Sequence, residues 1–218
     1  AKLISKMLLS YDYKTNSSIS YHILKLKSLT RFRKKLVKNR TIYKERLINI
    51  LDIVFPEYSK HFTQVWGKVS FYILKNYPTV NSIANINIEE VMPIINSLSK
   101  GHYSMIKLIK LIETAKASIG SKTDSHVLEL QLTINLIEQM DKAIEQVEDE
   151  ITHIMKQYDF KTATIPGIGL ISAASIVSEF ENFSKFSSSN QLLSFTGLEP
   201  AIYESGTQKT YGHIVKRG

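Results

Sequence analysis

Apolar residues recur at steps of three and four along two long stretches of the chain. The first stretch has no proline or glycine between about residue 20 and Pro56, and the second follows Gly120. This spacing places apolar side chains on one face of an α-helix, so each stretch predicts a long amphipathic helix. The predicted buried face of the first helix comprises Leu29, Phe32, Leu36, Tyr43, Leu47, Ile50 and Val54. That of the second comprises Val127, Leu130, Ile134, Ile137, Met140, Ile144, Val147, Ile151, Ile154 and Tyr158.

Shorter apolar periods between these stretches predict four further helices, separated by proline and glycine. They are expected at Tyr58–Asn76, Val80–Ala84, Ile88–Leu98 and His102–Ser118. The nine glycines and five prolines are too few for a loop-rich all-β protein. We therefore predict a mainly all-α fold in two parts. A long antiparallel coiled-coil region covers residues 1–160, and a small helical domain covers 161–218.

The positive charge of the chain is concentrated near its start. The whole sequence has 28 Lys and Arg against 20 Asp and Glu, a formal charge of +8. Ten cations lie on the first predicted helix: Lys25, Lys27, Arg31, Arg33, Lys34, Lys35, Lys38, Arg40, Lys44 and Arg46. The second predicted helix carries an acidic outer face instead.

These opposite charges leave alternatives open for both the pairing and the surface of the long helices. The helices either pair within one chain as an antiparallel coiled coil, with charge selecting the partner, or also dimerise through the same seam. The basic face is either an ordinary solvated surface or a nucleic-acid-binding surface, because clustered cations attract phosphate backbones. For the second alternative the candidate contacts are Arg31, Arg33, Lys34 and Lys35.

The composition excludes several kinds of chemistry. The chain has no cysteine, which rules out disulfides, cysteine-based zinc sites and thiol nucleophiles. Its six histidines are scattered without the i, i+4 pairing of a metal site, so we assign no metal ligand. No apolar run approaches the roughly 18 residues of a membrane span. We expect a cytoplasmic protein that has no membrane partner.

A glycine-bearing turn follows the second long helix. Residues 165–169 read Ile-Pro-Gly-Ile-Gly and precede an apolar stretch that contains Ala173 and Ala174. This arrangement is typical of a helix-hairpin-helix, in which glycines allow a tight turn and the unpaired amides of the next helix bind a backbone phosphate. Gly167 and Gly169 are therefore candidate nucleic-acid contacts. Alternatively, the hairpin only joins two packed helices.

From about Ala163 onward, the order of motifs resembles that of a known protein family. It runs IPGIG, Ala173-Ala174, SEFENFSKFSSSNQLLSFTGLEP and SGTQKTYGHIVKRG. This order closely resembles the C-terminal transposase domain of a bacterial insertion-sequence family, which pairs an RuvC-like nuclease domain with a serine-bearing domain. The family includes the Piv-type DNA invertases and the bridge-RNA-guided recombinases. KLIETAKASIG, within residues 102–120, is moderately similar to a stretch that precedes the family's second coiled-coil helix.

The resemblance implies a site. The family's serine nucleophile falls on Ser205, in the Ser-Gly that follows the motif formed here by Gly197, Leu198 and Pro200. Three cations follow closely enough in sequence to neutralise a phosphate beside that serine. They are Lys209, Lys216 and Arg217.

The resemblance also implies partners and a cofactor. The whole protein would bind DNA and a structured non-coding guide RNA, and would act as a dimer or larger homo-oligomer through the coiled coil. It would use Mg²⁺ held by four acidic residues of the nuclease domain. Ala1-Lys2-Leu3-Ile4 resembles the residues just after that domain, so we expect the metal ligands to lie outside this chain and the fragment alone to be inactive. Since the family usually continues past its final Arg-Gly, we also expect truncation at Gly218.

Two other functions stay open at the level of sequence. One is a non-catalytic dimeric module that binds nucleic acid through the coiled coil and the helix-hairpin-helix. The other is a helical scaffold, in which the basic helix only neutralises the acidic one. Ser205 is either the nucleophile or an ordinary turn serine, and His213 is the only nearby candidate for a general base. The local pattern departs from the family at Val215, where a serine is frequent.

Overall fold

A computed structural model describes residues 21–120, 124–158, 160–181, 183–198, 200–205 and 208–214. Within these ranges the fold is mainly helical, which confirms the predicted fold class. Two helices of 34 residues dominate it, α1 (Tyr21–Val54) and α6 (Asp124–Gln157). The shorter helices are α2 (Lys68–Asn76), α3 (Val80–Ala84), α4 (Ile88–Ser99), α5 (Met105–Ala117), α7 (Leu170–Phe180) and α8 (Ser189–Phe195). Single 3-10 turns occur at Tyr58–His61, Lys161–Thr164 and Phe183–Lys185.

Local signals set most of these boundaries, with one exception. Helix α3 has the predicted bounds, and Thr79 and Ser82 cap its start through reciprocal hydrogen bonds. The single helix predicted over Tyr58–Asn76 is wrong. A 3-10 turn ends there at His61, the chain is extended at Phe62 (φ −131°), and α2 begins only after Gly67.

The described residues also include a β-hairpin that the sequence analysis did not predict. Strand β1 (Pro200–Ser205) pairs antiparallel with β2 (Gln208–Ile214). Tyrosine and isoleucine occur on both sides of Gly206-Thr207, and this composition favours a hairpin. The C-terminal region is therefore helical only as far as Phe195 and ends in two strands.

Backbone contacts divide the described chain into two compact units. The first, called here the central unit, spans residues 29–153. The second, called the terminal unit, combines residues 21–28 with the described part of 154–214. Both boundaries between the units fall inside the long helices. The domain boundary predicted at residue 160 stays a prediction.

The two long helices run antiparallel through the central unit. Ion pairs join them, among them Arg33 with Glu148 at 2.6 Å, Arg40 with Asp141 at 2.6 Å, and Arg46 with Glu129 at 2.7 Å. Residue numbers rise along α1 while they fall along α6, and this fixes the antiparallel direction. Between the first two pairs both helices advance by one heptad, the repeat that an antiparallel coiled coil requires. Knobs-into-holes packing of the two helices stays a prediction.

The face that α1 turns towards α6 agrees with the predicted one at Leu47 and Val54, and Ile50 is buried as predicted, but the two faces differ before Leu47. In the central unit this face follows Thr30, Arg33, Val37, Arg40, Lys44, Leu47, Leu51 and Val54, all of them buried or half-buried. The matching face of α6 follows Leu130, Ile134, Ile137, Asp141, Ile144, Glu148 and Ile151, buried or half-buried except for Asp141. We call these two series the seam. Of the residues predicted for the buried face, Leu29, Leu36 and Tyr43 are only half-buried and Phe32 is 50% exposed.

Helices α2 to α5 pack with the adjoining ends of α1 and α6 into the core of the central unit. A ladder of aromatic rings lies in this core, with centroid distances of 5.5, 4.9 and 5.7 Å along Phe55, Tyr58, Phe62 and Tyr103. Tyr58 is fully buried, and its hydroxyl is 3.0 Å from Ser70 Oγ. The buried Tyr103 hydroxyl has no hydrogen-bond partner among the described residues, and burial raises the pKa of Tyr103 to about 12.

We expect Tyr58→Phe to lower the free energy of unfolding by about 1 kcal/mol, and Tyr103→Phe to leave it unchanged or slightly higher. Both substitutions remove one hydroxyl from a buried ring. The first breaks the hydrogen bond with Ser70, whereas the second removes a hydroxyl that makes no such bond. Urea unfolding of the two variants beside the parent protein measures the difference. An equal loss in both variants would contradict these hydrogen-bond assignments.

In the terminal unit an ion-pair network holds the end of α7. Glu181 lies just after this helix and accepts a hydrogen bond of 2.9 Å from Lys27 and one of 3.3 Å from Lys185. The hydrogen bond from Lys27 is the main reason that the pKa of Glu181 lies below its ordinary value. A lowered pKa means that Glu181 stabilises the fold at neutral pH, and this contribution is lost as the pH falls through that pKa.

Candidate nucleic-acid interface and serine hairpin

One face of α1 carries three exposed lysines without a partner in the described part of the chain. Lys34, Lys35 and Lys38 are exposed and form no hydrogen bond or ion pair with a described residue. Arg31 is exposed on the same face, three, four and seven residues before them. We call these four residues the basic ridge. Its cations extend over roughly 10 Å at 1.5 Å per residue, enough to contact consecutive phosphates of a nucleic-acid backbone.

The structure adds Lys38 to the predicted contacts and separates Arg33 from them. Arg33 lies in the seam, where its Nε donates to Glu148 at 2.6 Å. Lys38 follows Lys34 by four residues and Lys35 by three, and this helical spacing is the signal that identifies it. The predicted set is therefore divided between a ridge that faces solvent and an arginine that holds α6.

Other cations of α1 also serve packing. Arg40 and Arg46 pair with acids of α6, and Lys44 Nζ lies 4.8 Å from the centre of the Trp66 ring. Burial is the main cause that lowers the pKa of Lys44, and nearby Arg40 adds to it. In the scaffold hypothesis the cations of α1 neutralise the acidic helix, and this explains the arginines of the seam. It does not explain the exposed lysines of the basic ridge.

The glycine turn lies directly before α7. Gly167 has a φ of 86°, a left-handed conformation that favours glycine, and Gly169 is the N-cap residue of α7. No described side chain caps the α7 amides, and a Cβ at either glycine would meet no described atom within 4 Å. The helix before the turn is a single 3-10 turn, Lys161–Thr164, so the first half of the predicted helix-hairpin-helix is shorter than expected. The paired Ala173 and Ala174 are fully buried, as close helix packing requires.

Ser205 lies at the end of the β-hairpin. It is the last residue of β1 and pairs in register with Gln208, while Glu204 pairs with Lys209. Only Gly206 and Thr207 connect the two strands in sequence. A residue beside a two-residue connection sits at the tip of its ladder. Of the other predicted phosphate contacts, Lys216 and Arg217 lie beyond the residues that the structure describes.

The hairpin register argues against His213 as the base for Ser205 of the same chain. Ser205 pairs with Gln208, and His213 is five residues farther along β2. At about 3.4 Å per strand residue, the two are separated by roughly 17 Å along the ladder. A general base must come within hydrogen-bond distance of the hydroxyl or act through one water. A base for Ser205 would therefore have to come from elsewhere.

The described residues do not fit the Mg²⁺ that the resemblance implies. Across those residues, no group of three or more His, Asp and Glu side chains comes together that could hold a metal ion. No chemical step is therefore assigned to a metal held by these residues.

No helix in the same part of the chain is long and apolar enough to cross a membrane.

Two comparisons with known proteins point to insertion-sequence transposases. Residues 161–218 match the family model described as "Transposase IS116/IS110/IS902 family". The transposase for insertion sequence element IS1111A of Coxiella burnetii (strain RSA 493 / Nine Mile phase I) is 32% identical over 80 residues. That match covers 36% of this chain and 22% of the relative. The part of the chain that holds the glycine turn and the serine hairpin is therefore similar to insertion-sequence transposases of the IS116/IS110/IS902 family.

Proposed function

We propose that the chain is part of a DNA transposase or site-specific recombinase that binds DNA and a guide RNA and exchanges strands through Ser205. One observation carries the proposal: the residues that match the transposase family form a hairpin with the candidate serine at its tip. A nucleophile that attacks a DNA backbone must lie where a bulky duplex can reach it. The tip of a two-stranded hairpin meets this requirement.

The proposed chemistry is a transfer of one phosphodiester bond. Ser205 Oγ attacks the phosphorus of a DNA backbone, and a base outside the hairpin takes the hydroxyl proton. The bond from phosphorus to one deoxyribose oxygen breaks, and that oxygen leaves as a protonated hydroxyl. The resulting phosphoserine link conserves the bond energy, so a hydroxyl of another strand can attack it, restore the DNA backbone and release the serine.

The proposed binding surfaces contact backbones rather than bases. Lysines of the basic ridge and the open amides at the start of α7 suit phosphate oxygens, which carry no sequence information. The proposed guide RNA would select the DNA sites by base pairing. Since recombination joins two duplexes, the active assembly would contain at least two protomers.

We expect the triple substitution of Lys34, Lys35 and Lys38 with Gln to weaken binding to duplex DNA and to RNA at least about tenfold at low salt. Each lost phosphate contact also lowers the slope of log affinity against log salt by about 0.9. Fluorescence anisotropy over a salt series measures both quantities. The matched control replaces Lys60, Lys110 and Lys116, three exposed lysines of the central unit, with the same residue.

The control separates a specific ridge from general attraction to a basic protein. An equal loss in the control variant would show that net charge alone drives binding. Unchanged affinity in the ridge variant at every salt concentration would remove α1 from the interface. A loss confined to one DNA sequence would contradict the backbone role. The binding-module alternative predicts the same salt dependence but no covalent product with DNA.

A further inference from the structure

A cavity of about 740 Å³ lies between α6 and residues 66–76 in the central unit. Three aromatic residues line it: Trp66, Phe71 and Tyr72. The volume of this cavity is within the range of pockets that hold small molecules. Neither the basic ridge nor the serine hairpin includes any of these three residues, so the aromatic lining has no role in the function proposed above.

Two of the rings have polar groups that are free to bind a ligand. Trp66 and Tyr72 are half-buried. The Trp66 indole N–H and the Tyr72 hydroxyl form no hydrogen bond with any described residue. Lys44 lies 4.8 Å from the centre of the Trp66 ring but does not line the cavity, so this cation does not occupy it. Both rings can therefore contact a ligand without loss of an existing hydrogen bond.

The unpaired charges around the cavity favour an anionic ligand. The acids Glu138 and Asp141 on the cavity wall already pair with basic side chains at 2.8 and 2.6 Å. Three other lining residues, Lys68, Lys142 and Glu145, are exposed and form no hydrogen bond or ion pair with a described residue. Two unpaired cations against one unpaired acid favour a ligand with phosphate groups over a basic peptide.

The basic ridge and the cavity lie on the same side of the long helices. Successive residues of an α-helix are about 100° apart around its axis. In an antiparallel pair, the residues that directly follow seam residues on either helix therefore share one side. On α1 these include Arg31, Lys34 and Lys38 of the ridge. On α6 they include Lys142 and Glu145 of the cavity.

The ridge and the cavity are also at adjoining levels along the helix pair. Arg40 pairs with Asp141, and residue numbers fall along α6 as they rise along α1, so Lys38 is level with residue 143. Lys142 directly precedes that residue and lines the cavity. A nucleic-acid strand that lies along the ridge would therefore reach the cavity beside Lys38.

We propose, on the basis of the RNA binding proposed above, that this cavity holds an unpaired base of a folded RNA. The base stacks on Trp66, while the lysines of the ridge contact phosphates of the same strand. Duplex DNA keeps its bases paired, whereas a folded RNA exposes unpaired bases in its loops. The unpaired acid also matches RNA, because a ribose 2′-hydroxyl can donate to the Glu145 carboxylate and deoxyribose lacks this group.

Trp66 is the only tryptophan in the chain, so its fluorescence reports on the cavity directly. We expect a single-stranded decamer of adenosine to quench this fluorescence as it binds, because a base stacked on the indole ring quenches its emission. A decamer with the same ribose-phosphate backbone but no bases should bind more weakly and leave the emission unchanged. A deoxyadenosine decamer should quench only at higher concentration.

Each other result of this titration contradicts a definite part of the proposal. If neither ribose decamer binds, nucleic-acid binding by the chain fails together with the cavity assignment. If both bind equally and the emission stays constant, the ridge is retained and the cavity assignment alone fails. Equal quenching by the decamer without bases would rule out stacking. Quenching by the deoxyadenosine decamer at equal or lower concentration would overturn RNA as the occupant.

A pair of substitutions at Trp66 tests the stacked ring itself. We expect Trp66→Leu to weaken binding of the adenosine decamer at least about tenfold, since stacking on an aromatic side chain supplies an effect of this size. Trp66→Phe keeps an aromatic ring and should retain most of the affinity. Anisotropy of a labelled decamer measures both variants, and circular dichroism checks that both keep the helical fold. Equal affinities of the two variants would overturn the proposal.

Substitutions at the cavity rim test the site without changing a packed side chain. The double variant Lys68→Gln, Lys142→Gln removes two exposed cations and should weaken binding of the adenosine decamer at least about fivefold at low salt. The control Lys110→Gln, Lys116→Gln removes two exposed lysines of α5 that do not line the cavity. This control should bind as the parent does. An equal loss in both double variants would contradict a strand that passes the cavity.

Discussion

Ser205→Ala is expected to abolish the covalent protein–DNA product, with strand exchange reduced by at least about 10³-fold. Alanine has no atom that can bond to phosphorus, so no phosphoserine link can form. The assay uses the chain joined to the RuvC-like domain that the resemblance predicts, with guide RNA, Mg²⁺ and nicked target DNA. A denaturing gel separates the protein–DNA species from unlinked protein.

Ser189→Ala is the matched control for this substitution. Ser189 is exposed at the start of α8 and lies within the residues that match the transposase family, but outside the hairpin. This variant should form the covalent product at the parent rate. A product that persists in Ser205→Ala would show that another group attacks the DNA. If recombination proceeds and no covalent product forms in any variant, the serine mechanism is wrong.

Gly120→Ala is expected to destabilise the central unit by about 2–3 kcal/mol, which corresponds to a melting temperature lower by roughly 4–12 °C. Gly120 passes against the end of α1. A Cβ there would overlap the Val54 carbonyl oxygen and lie 2.6 Å from the Val54 carbonyl carbon. Neither neighbour can rotate away, because both are backbone atoms. Ser118 holds the same segment in place, since its hydroxyl donates to Glu57 at 2.7 Å.

Gly169→Ala provides the comparison for Gly120→Ala. A Cβ at Gly169 would meet no atom within 4 Å, and its φ of −70° suits alanine. We expect its free energy of unfolding to stay within about 1 kcal/mol of the parent value. Thermal unfolding followed by circular dichroism measures both variants. A stable Gly120→Ala protein would mean that the segment at residue 120 does not approach α1 as closely as described.

The long helices show where sequence periodicity suffices and where it fails. Steps of three and four over α1 predict its helical state correctly. Before Leu47, however, two faces of α1 satisfy such steps, and the prediction chose the more apolar one. The face in the seam contains Arg33 and Arg40, which look like surface residues until their partners on α6 are known. Polar residues at a helix contact are recognisable only when both helices are in place.

Sequence analysis predicted some features of the candidate site and missed others. The similarity of 161–218 to transposases follows from motif order, and that range contains Ser205. The hairpin that carries Ser205 was missed, because its short strands lie beside residues that favour helices and turns. The distance between Ser205 and His213 depends on strand register, which pairs residues by geometry rather than by their order along the chain.

The sequence by itself determined the helical class, the two long amphipathic helices, the concentration of cations on α1 and the likeness of the C-terminal residues to transposases. These properties depend on local spacing and composition, which each segment carries alone. Only the tertiary structure decided which cations face solvent, which face of α1 enters the seam and where Ser205 lies in its hairpin. These depend on contacts between residues distant in sequence, such as Arg33 with Glu148, since burial and ion pairing belong to pairs of segments rather than to either one.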